Sequence, residues 1–334
     1  MKAAVLAVDG GNSKTDVALV AADGTLLAAV RGPTTSHQAV GLDEGLRRLI
    51  GLVEAVASEA GLDASARPLA SLGVHALAGA DFPSDVRMLD KGLRSTKLTE
   101  RDIVVNDCIG ALWAGATDGY GIALVCGAGI NAAAVAPDGR VARFDGIGDL
   151  SGDWGGGNAV AMAGLGAAVR ARDGRGPRTD LERTIPAHFG STRPAALIRA
   201  MYHGRISQER VAELSPVVFA TARAGDPVAR RIIDRLAHEL STMAIALGRR
   251  LRILRLPVEV VLAGGVFRAD DPAFFERLDN LIRAELPAAT LIRLDGPPVT
   301  GAAREGLKRL GEGGPAAVAA ARERVRRELR EWHP

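Results

Sequence analysis

A chain of 334 residues, 47% hydrophobic and 24% charged, has the composition of a globular protein long enough for two domains. Its formal net charge is +3, with arginines dispersed until the last helix, so no concentrated basic stripe exists and nucleic acid is not an expected partner. Cys108 and Cys126 form neither a CxxC pair nor a metal spacing, no apolar run is long enough to span a bilayer, and no signal pattern precedes the first strand; a cytoplasmic protein without membrane contact is expected.

In chain order, alternating apolar runs predict strands at 3–8, 15–21 and 25–31. A helix follows, with Leu42, Leu46, Leu49, Val53 and Val56 at helical spacing, and then strands at 71–76 and 103–106. Residues 1–116 therefore read as an α/β domain. The pattern restarts after Gly119. "GIALVCGAGI" meets a glycine turn, and "NAAAVA" and "RVARF" flank the turn "PDG", just as "LAVDGGNSKT" precedes "DVALVAADGTLLAAV" at the start. Both segments read strand, glycine-rich turn, strand, DG turn, strand, which is an internal structural repeat. Amphipathic helices are predicted around 157–171, 194–203, 207–223 and 226–251. The strand "VEVVLAGG" at 258–265 then runs into a helix beginning "VFRADD", followed by the strand "ATLIRL" and the helix "TGAAREGLKRL". These elements make residues 117–312 a second, larger α/β domain. Residues 313–334 form a basic amphipathic helix expected to pack on the core and to turn its charges to solvent.

Three glycine turns end apolar strands: "DGGNSKT", "CGAGIN" and "LAGG". Backbone N–H groups at a turn free of side chains form a nest for phosphate oxygens. In the first turn Ser13 and Lys14 add a hydroxyl and a cation, while Asp9 offers a carboxylate to a metal or its water. A plain strand turn with exposed polar residues explains that one segment equally well. A P-loop is excluded, because the spacing differs and a strand follows the turn. Asp107 ends the strand "DIVVND" ahead of a helix. It is either a catalytic base projecting from a strand end or the helix N-cap. "DGIGDLSGDWGGG", Asp145 to Gly157, holds six glycines and three acids in thirteen residues, a composition suited to close approach of a hydrophilic ligand.

The order DGGxxKT, "VVND", GAGxN, "GDWGGG" and "LAGG" resembles the actin, Hsp70 and sugar-kinase superfamily. Within it, the likeness is to the N-acetylglucosamine kinase branch of the BadF/BadG/BcrA/BcrD-type ATPases, from Val5 to about Gly311. The resemblance implies two ribonuclease-H-like (actin-like ATPase) domains with an interdomain cleft that takes MgATP and an amino sugar. It assigns Asp107 as the base for the sugar hydroxyl, that on C6 in the family. Gly10, Gly11, Asn12, Ser13, Lys14 and Thr15, with Gly127, Ala128 and Gly129, become the phosphate groups' neighbours; Gly264 and Gly265 lie near the adenosine; Asp9 serves Mg2+ directly or through water. Ser36, His37, Asn131, Gly146, Gly148 and Asp153 fall where the family binds its sugar, and a homodimer is expected. The chain departs from the commoner pattern at Ser36, where relatives carry Asn, and at Trp154, where many carry Glu. A kinase for a related sugar such as glucosamine, an activator-type ATPase holding an iron–sulfur cluster, and a noncatalytic sugar sensor are the alternatives on the same fold.

Overall fold

The computed structural model describes residues 3–333, apart from the Gln208 side chain. Its first sheet begins with β1 (Ala3–Gly10), β2 (Lys14–Val20) and β3 (Leu26–Pro33). The short α1 (His37–Val40) and the long α2 (Leu42–Glu59) lead to β4 (Ala70–Leu77), α3 (Pro83–Thr96), β5 (Thr99–Asn106) and α4 (Asp107–Gly115). Strand order is β3-β2-β1-β4-β5. β1 runs parallel to β4 and β4 to β5, whereas β2 is antiparallel to both β1 and β3. Val5, Leu6, Ala7 and Val8 are all fully buried. A central strand covered on both faces must be apolar throughout, which is why "VLAV" shows no alternation.

Successive side chains of β1 point to opposite faces. Leu6 and Val8 join Leu49, Val53 and Val56 of α2 and Leu89 and Leu93 of α3 in one core. Val5 meets a helix from the far end of the chain, described below.

The second sheet repeats the plan with β6 (Gly121–Cys126), β7 (Ile130–Val135) and β8 (Val141–Arg143). A helical stretch follows: α5 (Gly156–Arg172), α6 (Leu181–His188), α7 (Pro194–Tyr202), α8 (Ser215–Arg223) and α9 (Pro227–Leu251). The chain then makes β9 (Val258–Ala263), α10 (Pro272–Glu285), β10 (Ala289–Arg293), α11 (Val299–Leu310) and α12 (Gly314–Glu331). Strand order is β10-β9-β6-β7-β8, which corresponds strand for strand to β5-β4-β1-β2-β3. The repeat read from the glycine and DG turns is thus a repeat of topology, and the fold is the expected two-sheet α/β architecture.

Local differences have local causes. The helix expected directly after "LAGG" starts later, at Pro272, because Gly265–Arg268 forms a 3-10 turn and Asp271 caps the helix by accepting from the Phe274 N–H. The stretch 207–223 divides into a 3-10 turn at 208–214 and α8, where Pro216 enters the first helical turn. α3 and α6 had no counterpart in the sequence reading. α3 buries only Leu89 and Leu93, and α6 has eight residues with Pro186 inside.

The chain divides into two units: Met1–Ala123, Ala133–Gly139 and Ile292–Pro334 in the first, Leu124–Ala132 and Arg140–Leu291 in the second. Residues 292–312, which the boundaries above placed in the second domain, therefore lie with the first. Small residues explain this. A side chain at Gly301 would collide with the Gly110 carbonyl of α4, and one at Gly306 would press on Val5 of β1. α11 can lie close on both because it carries none. α12 follows it: Glu328 accepts from the Leu26 N–H at 2.7 Å, and Arg324 pairs with Asp23 at 2.7 Å.

No helix among the described residues is long and apolar enough to cross a membrane.

Candidate active site

In the first unit, register places Gly10 of β1 beside Leu77 of β4 and Leu77 beside Asn106 of β5. These three parallel strands end together. The region outside the carboxyl ends of parallel strands is where α/β sheets hold ligands, since helices cover the faces. Asp9, Gly10, Asp81, Asn106 and Asp107 gather there.

The first glycine turn closes with the Gly11 N–H donating to the Lys14 carbonyl at 2.9 Å. Asn12, Ser13 and Lys14 are exposed on it, whereas Thr15 is fully buried and shares a 3.0 Å hydroxyl contact with Thr35. Thr34 donates to the Gly11 carbonyl at 2.8 Å, so the polar loop 34–41 is tied to the turn. In that loop Ser36 Oγ and His37 Nδ1 are buried without a hydrogen-bond partner. A buried polar atom left unpaired costs free energy, so both are suited to meet a polar ligand.

Charge is concentrated at the same strand ends. The Asp9 carboxyl is pushed up to about 8, chiefly by loss of water and then by the Asp107 and Asp16 carboxylates, against the opposing pull of Lys14 and Arg31. Asp107 is raised to about 6, again by desolvation first and next by Asp81, while the Cys108 N–H pulls it down. Both carboxyls therefore hold their protons to higher pH than an exposed carboxyl would, Asp9 more than Asp107. Asp16 is not free to share that load. It is 1% exposed and held by both arms of Arg31, at 2.6 and 2.8 Å.

The N-cap position of α4 falls to the neighbour of Asp107. Asn106 is the N-cap of α4, its side-chain oxygen accepting from the Cys108 N–H at 3.1 Å. Asp107 occupies the first helical position, and its carboxylate also receives that N–H, at 2.9 Å.

In the second unit, the turn between β6 and β7 exposes Ala128 and Gly129. A Cβ at Gly127 or Gly129 would meet nothing within 4 Å, so the fold itself does not demand glycine at either place. The turn is held from behind by α5, whose Gly157 and Asn158 N–H groups donate to the Gly127 and Ala128 carbonyls at 2.7 and 3.0 Å. Gly264 differs: its φ is +107° and a Cβ there would collide with the Cys126 backbone, whereas Gly265 faces open space. Asn131 lies against Gly146, where any side chain would strike its amide. Gly148, at φ +69°, is exposed on the same loop. Asp153 is half-buried; its carboxylate accepts from Ser151 and its N–H reaches the Gly148 carbonyl at 3.1 Å. The Trp154 ring lies under the Arg235 guanidinium, 3.8 Å from the ring centre.

Asp81, Gln38 and Asn106 were not singled out in the sequence, yet the structure brings them to the Asp107 strand end. The available signal was an acid closing "LAGAD" four residues after a strand. Among the described residues no group of three or more His, Cys, Asp or Glu is arranged to hold a metal by itself.

Known proteins of this kind provide an external measure. A model of the BadF/BadG/BcrA/BcrD ATPase family matches residues 6–304. The chain is 27% identical over 299 residues to an N-acetylmuramic acid/N-acetylglucosamine kinase of Clostridium acetobutylicum, covering 89% of this chain and 96% of that protein. It is 26% identical over 314 residues to an N-acetyl-D-glucosamine kinase of Dictyostelium discoideum, with the same coverages. A crystal structure from Chromobacterium violaceum, provisionally described as an N-acetylglucosamine kinase, shares the fold with a TM-score of 0.71 at 24% identity, over 92% of this chain and 99% of that one.

Proposed function

Because the chain belongs to the BadF/BadG/BcrA/BcrD ATPase family, we propose that it is an ATP-dependent amino-sugar kinase acting on N-acetylglucosamine at the C6 hydroxyl. The observation that carries the chemistry is Asp107: a half-buried carboxylate at a strand end, relieved of capping by Asn106 and raised to about 6. A base poised just below neutral pH is ionised when the sugar arrives and still basic enough to accept a hydroxyl proton.

In this reading Asp107 takes the proton of the attacking hydroxyl as its oxygen bonds to the γ-phosphorus and ADP leaves. Phosphoryl transfer otherwise needs positioning and neutralisation of charge. Gly10 to Thr15 and Gly127 to Gly129 receive the phosphates, with the exposed Lys14 supplying positive charge, and Gly264 and Gly265 serve the adenosine. Ser36, His37, Asn131, Gly146, Gly148 and Asp153 orient the sugar. The donor set at Asp9 fits a magnesium ion brought with ATP, since that carboxylate stands among acids that Lys14 and Arg31 do not balance. Bound there, directly or through water, the ion would neutralise phosphate charge. The reading also includes a homodimer and a cytoplasmic location, both drawn from the family.

Both thiols are buried, and burial pushes the Cys126 thiol up to about 12. An activator-type ATPase would hold an iron–sulfur cluster on such thiols, and purified protein that carries iron would favour that reading over the kinase. The kinase reading is tested by ADP release against N-acetylglucosamine, glucosamine, N-acetylmannosamine, N-acetylmuramic acid and glucose. Turnover greatest with N-acetylglucosamine supports it, and a rate at background with every sugar overturns it.

A further inference from the structure

We infer that Asp81 is a positioning residue of the transfer reaction, its carboxylate bridging the sugar loop at Gln38 to Asn106, the cap that orients the Asp107 end of α4. The inference rests on the kinase reading for its functional meaning, but the bridge itself is geometric. Asp81 is 6% exposed, and its two oxygens serve different partners. Oδ1 accepts from Asn106 Nδ2 at 2.9 Å, and Oδ2 accepts from Gln38 Nε2, also at 2.9 Å.

The Asn106 amide is oriented from both sides: its oxygen accepts from the Cys108 N–H, which it shares with Asp107, and its NH2 faces Asp81. Gln38 also presents its NH2. As these two amides stand, the side chain between them accepts at both ends, which a carboxylate does directly; an amide at position 81 can do the same work only if Gln38 turns over.

The segment carrying Asp81 is joined to the site at two more points. The Ala78 N–H donates to the Gly10 carbonyl at 2.7 Å, beside the first phosphate turn. Gly79, at φ +84°, leaves room for the loop residues: a Cβ there would lie 2.7 Å from His37 Cε1 and 3.1 Å from Gln38 Cδ. Residues 78–81 thus touch the phosphate turn, the sugar loop and the cap beside the base. Movement of the sugar loop is transmitted to the base through Asp81.

Three variants test this, with N-acetylglucosamine as substrate and hydrogen exchange as a second readout that needs no turnover. Asp81→Ala removes both acceptors; kcat should fall on the order of tenfold or more and KM should rise, as for other residues that orient reacting groups at one remove. Asp81→Asn should recover most of that loss, because its oxygen can serve Asn106 while the Gln38 amide turns over to accept from the new NH2. Gln38→Ala, at an exposed position where folding is not at risk, should raise KM about tenfold and change kcat less than about threefold. Hydrogen exchange in Asp81→Ala should quicken together in residues 34–41 and 106–110, and in Asp81→Asn in neither. The bridge is refuted if Asp81→Asn is as damaging as Asp81→Ala, if Asp81→Ala keeps kcat within twofold, or if faster exchange is confined to 78–82. Should wild-type protein phosphorylate no sugar, the kinase reading fails, and the exchange data alone decide the bridge.

Discussion

Replacing Asp107 by Asn should cut turnover about a hundredfold or more while making the protein more stable. Raising a carboxyl from its ordinary 3.8 to about 6 means that folding disfavours the ionised form by up to about 3 kcal/mol, at 1.36 kcal/mol per pKa unit. The folded state binds this proton more tightly than the unfolded state, so stability falls as pH rises from about 4 to about 6 and is level above that. Asn has no ionised form and escapes the penalty. It can accept from the Cys108 N–H as Asp107 does, and the cap is supplied by Asn106, so no structural contact is lost. At pH 8 the variant should melt higher by several degrees, at roughly 2 °C per kcal/mol for a chain of this length. At pH 4 the two proteins should melt together. Loss of a general base lowers kcat by about a hundredfold or more, and in the wild type kcat/KM should drop about tenfold per pH unit below about 6. ADP release and thermal melting across pH measure both effects. A variant that turns over within a few-fold of wild type, or whose stability gain does not depend on pH, refutes the assignment.

The glycine turns separate ligand space from fold. Gly129→Val should weaken ATP binding by calorimetry with an unchanged melting temperature, because nothing in the protein lies within 4 Å of its Cβ. Gly264→Ala should instead lower the melting temperature, since φ is +107° and the Cys126 backbone fills the space, at a cost of about 2 kcal/mol or more. Arg31→Ala should destabilise by about 3 kcal/mol in urea unfolding, because it leaves the Asp16 carboxylate buried and unpaired. Gly301→Val should cost at least as much, since the helix pair has no room at the Gly110 carbonyl; a loss under about 1 kcal/mol would show that α11 can shift away.

What could be read without coordinates was whatever repeats locally. The buried runs "VLAV" and "IALV", the glycine turns after them and the DG turns beyond specify two equivalent strand sets, and those signals lie within twenty residues of one another. Asp107 was visible as an acid at a strand end, but not that Asn106 would take over its capping, because either residue caps well. The Asp81 bridge was not visible at all. It joins residues 38, 81 and 106, and no local pattern distinguishes an acid that will face two amides from one that will face water. The return of residues 292–334 to the first unit was hidden for the same reason: its signals are Gly301 and Gly306, absences of side chains whose meaning depends on partners nearly two hundred and three hundred residues away.

That return has a bearing on how the protein is made. A ribosome delivers the N-terminal end first, yet the first unit lacks its covering helix until residues 292–334 emerge. Until then the Val5 face of β1 lacks α11 against it, and the edge strand β3 lacks Glu328 against its Leu26 N–H. An uncovered apolar face beside an open strand edge is a template for association between chains. The second unit, by contrast, is fully synthesised by residue 291. The nascent chain therefore completes its later unit before its earlier one, and premature stops after residue 291 should yield aggregates in which the second unit is folded and the first is not.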